Sequence, residues 1–190
     1  PGLHLAAVPS RASVGDVLVA RQAGGLDELP QGAVVGTGSL RRRAQLLDAR
    51  GDLDVRDLRG NVETRLAKLD AGEFDAVVLA EAGLRRLEFH DRVQHVLPAD
   101  VMLPAVGQGA LGLETRADDA ETNEAVARLN DPASRAAVRA ERSMLVALEG
   151  GCLAPIAAWG RVEEGELVLT GRVLAADGSR KIEARQAAPP

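Results

Sequence analysis

The chain of 190 residues has no tyrosine, one tryptophan (Trp159), two phenylalanines (Phe74, Phe89), one cysteine (Cys152) and two lysines (Lys68, Lys181). Few aromatic side chains exclude single-stranded nucleic-acid binding by base stacking, which needs aromatic platforms. One cysteine excludes an internal disulfide framework and fits a reducing, cytoplasmic setting. The three histidines (His4, His90, His95) show no metal-ligand spacing and no Cys–His motif, so no zinc site is expected. No apolar run approaches the roughly 18 residues of a membrane span. The opening Pro1-Gly2-Leu3-His4 carries no signal-peptide pattern and no initiator methionine, and reads as a processed or truncated piece. Positive charge is in deficit as well: 23 basic against 28 acidic residues give a net charge of −5, which excludes a general polyanion-binding surface.

At 46% hydrophobic residues the chain can bury a real core in one or two domains. Of its 23 basic residues, 21 are arginine, the better side chain for gripping carboxylates or phosphates in a bidentate fork. A GC-rich genome would also enrich arginine, so only the positions can decide. Val17–Ala20, Ala33–Gly36, Leu53–Leu58 and Asp75–Ala80 are short apolar runs that read as strands. Between and after them Leu40–Ala49, Val62–Ala71 and Ala82–Phe89 carry leucines every three or four positions and read as helices. This alternation predicts an α/β layer with a mainly parallel sheet.

A Pro- and Gly-bearing connector, Leu97 to Gly109, runs into a short alternating strand over Ala110–Glu114. The character then changes: Glu121–Leu129 and Ala133–Leu148 read as helices, the second with Asp131 as N-cap and Pro132 at its first position. Gly150 and Gly151 supply the expected glycine stop. Ile156–Val162, Glu166–Val173 and Arg180–Arg185 read as antiparallel strands joined by Glu-Gly and Asp-Gly turns, with one helix behind them. This forms a small α+β unit whose sheet is thinly covered.

Three strand ends in the α/β layer lead into arginine-bearing turns. Gly36-Thr37-Gly38-Ser39-Leu40-Arg41-Arg42 opens a helix whose free amides and dipole attract anions, yet a capped helix with a solvated basic face fits the same local pattern. Neither a Walker A lysine nor Gly-x-Gly-x-x-Gly is present. Leu58-Arg59-Gly60-Asn61 followed by Thr64-Arg65 repeats the arrangement, and Ala82-Gly83-Leu84-Arg85-Arg86 supplies a third turn. Ligands of open α/β sheets bind beyond the carboxyl ends of the strands, so three basic turns at one edge predict a carboxylate or phosphate ligand. Cys152 follows Glu149-Gly150-Gly151 and precedes Leu153-Ala154-Pro155. A lone cysteine is usually a buried small hydrophobe, but glycines and proline describe a reachable loop. The preceding helix would raise rather than lower the thiol pKa, which suits a permanently attached group better than a turnover nucleophile.

Taken together, these motifs, with Leu103-Pro104-Ala105-Val106-Gly107-Gln108-Gly109 and Leu148-Glu149-Gly150-Gly151-Cys152, resemble the porphobilinogen deaminase (hydroxymethylbilane synthase) family, in the family's order over nearly the whole chain. The resemblance implies a transferase of tetrapyrrole (haem) biosynthesis that joins four porphobilinogen molecules with loss of ammonia. It implies a dipyrromethane cofactor held as a thioether on Cys152. Arg41, Arg42, Arg59, Arg65 and Arg86 would pair with pyrrole carboxylates, and Thr37, Ser39 and Gly60 would add hydrogen bonds. It further implies periplasmic-binding-protein-like domains: residues 1–15 as the tail of an incomplete first domain, 16–98 the second, 99–118 a return to the first, and 119–190 a truncated third. The family's catalytic aspartate segment has no counterpart here, so no catalytic residue is assigned and the isolated chain is expected to be inactive. Glu63 stands where glycine is common and is expected to point away from the site. Porphobilinogen is then the small-molecule partner of a monomeric parent, with no nucleic acid and no membrane. The rival reading is a non-catalytic carboxylate- or phosphate-binding module of periplasmic-binding-protein type, which leaves the Gly-Gly-Cys loop unexplained.

Overall fold

The computed structural model describes residues 2–22, 24–151 and 154–189. Cys152, assigned above as the cofactor attachment point, lies outside the described residues.

The α/β layer is built on five strands: β2 (Asp16–Ala20), β3 (Val34–Gly36), β4 (Asp54–Arg56), β5 (Ala76–Ala80) and β6 (His95–Val96), in the order β4-β3-β5-β2-β6. β1 (Leu3–Ala7) lies outside it, paired antiparallel with β7 (Leu113–Arg116) in a separate ribbon. Alternation along the strands divides the core between two faces. Leu18, Val35, Val55, Ala76 and Val78 pack with Leu46 on one side. Val17, Val19, Val77 and Leu79 pack with Leu58, Leu66 and Leu84 on the other. The helices that cover these faces are α1 (Leu40–Ala49), α2 (Val62–Asp70) and α3 (Glu81–Arg86). Ser39 and Asn61 cap the first two, accepting from the backbone N–H of Arg42 and Thr64.

The mainly parallel sheet expected from the pattern is in fact mixed. β3 pairs in parallel with β4 and β5, whereas β2 pairs antiparallel with both β5 and β6. The cause lies in the connection over residues 21–33, which carries no helix among its described residues. Without a helical crossover to return the chain to its starting edge, β3 begins where β2 ends, and the two run in opposite senses. Asp16 at the start of β2 therefore sits opposite Ala80 at the end of β5, on the edge where β3, β4 and β5 finish.

The C-terminal part contains α4 (Ala120–Ala127), α5 (Pro132–Ala147) and an antiparallel sheet, β8 (Ile156–Glu163), β9 (Glu166–Leu174) and β10 (Lys181–Ala188), in the order β10-β9-β8. Asp131 caps α5 by accepting from Ser134 N–H, with Pro132 in its first turn. The glycine stop is displaced by one residue: Glu149, not glycine, takes the left-handed conformation (φ 50°) after the C-cap Leu148. α5 covers β8 and β9, while every residue of β10 is exposed.

The small sheet is keyed to α1. Arg172 of β9, almost fully buried, donates to Gln45 Oε1 at 2.7 Å and to the carbonyl of Asp100 at 2.7 Å. Gly178 (φ 75°) rests on the end of α1, where a Cβ would lie 2.6 Å from Asp48 N, and Lys181 Nζ reaches Asp48 Oδ2 at 2.6 Å.

Candidate anion-binding site

Each basic turn follows a strand of the parallel set, so local sequence delivers their side chains to one edge. Gly36 of β3 leads through Thr37 to α1, Arg56 of β4 leads through Arg59 and Gly60 to α2, and Ala80 of β5 leads directly into α3. The arginines at this edge nevertheless fall into two groups.

Arg41 and Arg42 are buried, at 4% and 8% exposure, and both face Asp16, which is fully buried. Arg42 donates through Nε (3.0 Å) and Nη2 (2.7 Å) to Asp16 Oδ1, and through Nη1 to the carbonyl of Val78. Arg41 Nη1 lies 2.8 Å from Asp16 Oδ2 and donates to the carbonyl of Leu103 at 2.7 Å. Asp16 Oδ2 and Arg41 Nε are buried without a well-aligned hydrogen-bond partner among the described residues. Burial pushes the Asp16 carboxyl up, but Arg42 and Arg41, by charge and hydrogen bonding, outweigh it and hold its pKa below the ordinary value. Arg41 is lowered by burial in spite of Asp16. Two cations and one anion leave a floor of net charge +1 beneath the edge.

Gln108, from the Pro- and Gly-bearing connector, closes this cluster. Its Nε2 donates to the carbonyl of Val14 at 2.6 Å and to Asp16 Oδ1 at 3.0 Å, while its Oε1 accepts from Arg41 Nη2 at 3.4 Å.

Arg59, Arg65 and Arg86 form the second group. Arg59 is exposed and pairs with Asp57 at 2.8 Å; Arg86 is exposed without an ion pair among the described residues. Arg65 is half-buried, and its Nε donates to the carbonyl of Gly60 at 2.8 Å, in a turn where Gly60 has φ 119°. Burial lowers the Arg65 pKa, the charge of Arg42 lowers it further, and Asp57 only partly compensates. This cation is desolvated, repelled and, among the described residues, without a carboxylate of its own. Thr37 Oγ1 accepts from Ser39 N–H, and Ser39 Oγ accepts from Arg42 N–H, so among the described residues both hydroxyls keep their own proton free to donate. Glu63 is exposed and folds back on Asn61, accepting from its Nδ2 at 3.3 Å.

The three turns thus share one edge, and of the five arginines assigned from the sequence Arg41 and Arg42 are buried, Arg65 is half-buried, and Arg59 and Arg86 are exposed. Sequence reasoning missed Asp16 and Gln108. The signal for Asp16 is a single carboxylate opening an otherwise apolar strand, Asp16-Val17-Leu18-Val19-Ala20.

Comparison with known proteins gives this edge its context. The profile described as "Porphobilinogen deaminase, dipyromethane cofactor binding domain" matches residues 1–124, and that described as "Porphobilinogen deaminase, C-terminal domain" matches residues 135–189. A porphobilinogen deaminase of Desulforudis audaxviator is 53% identical over 188 residues, covering 99% of this chain and 61% of the relative. That of Brevibacillus brevis is 49% identical over 180 residues, covering 94% and 58%. The chain therefore spans about 60% of the length of these curated relatives. Among solved structures, the substrate binding protein of an amino acid ABC transporter aligns with 75% of this chain and 59% of its own, at 13% identity and a TM-score of 0.34. Both profiles match in chain order and together cover most of the sequence, cofactor-binding domain first, so the chain belongs to the porphobilinogen deaminase family.

Proposed function

We propose that this chain carries the anion-binding edge and the cofactor thiol of an enzyme that condenses four porphobilinogen molecules, with release of ammonia, into hydroxymethylbilane. The observation that carries the reading is Arg65: a half-buried guanidinium, desolvated and repelled by Arg42, with a backbone carbonyl as its hydrogen-bond acceptor. A cation so placed gains from any carboxylate that reaches it. Each pyrrole unit of the proposed substrate carries an acetate and a propionate, so a growing chain is a dense polycarboxylate, which suits an arginine edge on an acidic protein.

The donors present fit a dipyrromethane. Arg59, Arg65 and Arg86 would hold its carboxylates, the free hydroxyl protons of Thr37 and Ser39 and the Gly60 turn would add hydrogen bonds, and Arg41 and Arg42 would supply a fixed positive floor. When bound through Cys152, the group supplies the pyrrole carbon from which the product is extended. The arginines neutralise and orient the carboxylates, and the floor keeps their charge from accumulating unscreened. In the same reading residues 1–15 and 99–118 are parts of a first domain, 16–98 a second and 119–190 a third. The parent acts as a transferase and a cytoplasmic monomer. No helix among the described residues is long and apolar enough to cross a membrane. The rival binding-module reading offers no use for the loop thiol.

An intact mass of the denatured chain beside Cys152→Ser tests the reading. The expected result is an increment of two linked pyrroles on the chain and none on the variant. A bare mass, together with no binding of porphobilinogen at the arginine edge and no effect of Arg65→Gln, would overturn it.

A further inference from the structure

Asp16 is the least expected member of the arginine edge. It is a carboxylate with no exposure, contributed by β2, the one strand of the five that runs against the rest, and it meets both arginines of the first turn of α1 at 2.7–2.8 Å. Two guanidiniums on successive residues of a helix N-terminus oppose both the helix dipole and each other. Left to themselves they would separate toward solvent. Asp16 draws them inward instead. Arg42 gives it two donors of its fork and anchors the third nitrogen on Val78 O, and Arg41 is held between Asp16 and Leu103 O. Gln108 fixes the carboxylate in turn, donating to Asp16 Oδ1 and to the backbone at Val14 and Gly15. The held cluster still acts on the open part of the edge, since the charge of Arg42 is felt at Arg65.

We propose that Asp16 is a positioning residue of the anion edge: acting through Arg41 and Arg42, and braced by Gln108, it fixes the positive floor over which Arg65 receives a ligand carboxylate. The inference rests on the proposed reading of this edge as the carboxylate site. Asp16 itself touches no ligand. It sets where two of the site's charges stand and reduces their sum from +2 to +1. The ligand meets a rigid, moderately positive surface rather than two free arms whose ordering would oppose binding.

The test is a double-mutant cycle read as affinity for porphobilinogen, by calorimetry on the full 190-residue chain, with thermal melts to confirm that each variant is folded. Asp16→Asn is expected to weaken binding at least tenfold in the unsubstituted background. In the Arg41→Gln/Arg42→Gln background it is expected to change binding less than twofold, because Asp16 then has nothing to position. Equal losses in both backgrounds, or undiminished affinity in folded Asp16→Asn, would overturn the proposal. If Asp16→Asn fails to fold, Gln108→Ala takes its place in the same cycle, with the same two criteria. Failure of the underlying reading looks different: the unsubstituted chain does not bind porphobilinogen, or Arg65→Gln binds as well as it does, and the role of Asp16 falls with it.

Discussion

Glu141 offers the sharpest test of how the segments of this fold are joined. It lies in the middle of α5 with no exposure, and four donors converge on its carboxylate. Arg11 reaches Oε1 through Nη1 at 2.6 Å and Oε2 through Nη2 at 3.1 Å, Gly107 N–H reaches Oε2 at 2.6 Å, and Gly160 N–H reaches Oε1 at 2.7 Å. One side chain thereby ties the entry segment before β2, the glycine-rich connector, α5 and β8. Glu141→Ala would leave the Arg11 guanidinium, 9% exposed, without its anion, and two backbone N–H groups without acceptors. Breaking a buried ion pair by removing one partner costs about 3–5 kcal/mol, and an orphaned buried donor about 1–3 kcal/mol. These figures overlap, because a relaxed cavity can admit water to some of the donors, so we expect a loss of about 4–6 kcal/mol. That is a large fraction of the roughly 5–15 kcal/mol that holds a typical domain folded. Glu141→Gln keeps an acceptor oxygen and the shape, and should cost about half as much. Urea unfolding followed by circular dichroism reads both. A Glu141→Ala chain within 1 kcal/mol of the parent would refute the view that this carboxylate is the junction.

Two further outcomes follow from particular contacts. Gly109 has φ 78° and its missing Cβ would lie 2.5 Å from Ser13 O and 2.7 Å from Ala12 O, so Gly109→Ala meets both strain and backbone clash; a loss of at least about 2 kcal/mol is expected in the same unfolding assay, and an unchanged midpoint would contradict this close approach. The pKa of Asp16 is depressed in the fold, so its contribution to stability is complete above the ordinary value of 3.8 and is lost as pH falls from there through the lowered folded value. Urea midpoints of the parent and of Asp16→Asn should therefore draw together as pH falls from 3.8 through the lowered folded value, and curves that stay parallel down to the acid limit would exclude Asp16 as a source of acid lability.

Where local chemistry determined the structure, the sequence was legible. α1 spans Leu40–Ala49 as read, because Ser39 is a capping residue and the apolar face recurs at helical spacing. Asp131 and Pro132 likewise place the start of α5, and the Glu-Gly and Asp-Gly turns place the three C-terminal strands. What was lost depended on partners distant in the chain. β1 carries no strand signal read from its own residues and forms one where β7, more than a hundred residues later, pairs with it. β6 is two residues long and owes its existence to the reversed β2. The direction of β2 itself is not encoded in its own five residues but in the connection after it, whose described residues form no helix.

The site shows the same division more sharply. Reading arginines at strand ends brought three basic turns to one edge, since each turn is local, but the family resemblance treated Arg41, Arg42, Arg59, Arg65 and Arg86 as equivalent charges facing a ligand. Their fates are set by what lies beneath them. Arg41 and Arg42 occupy successive positions of α1 and turn inward because a reversed strand brings Asp16 under the helix start, whereas Arg59 pairs with the exposed Asp57 and Arg86 has no ion pair among the described residues, and both stay exposed. Arg65 falls between the two cases, half-buried and without an anion among the described residues, and in the proposed reading this makes it the side chain through which the edge can discriminate. A fully exposed arginine gives up a full hydration shell to bind a carboxylate and gains little. One already paired inside gains nothing. A cation that the fold has partly desolvated and left unpaired has already borne part of that cost, so a carboxylate arriving there returns more of its Coulomb energy as affinity.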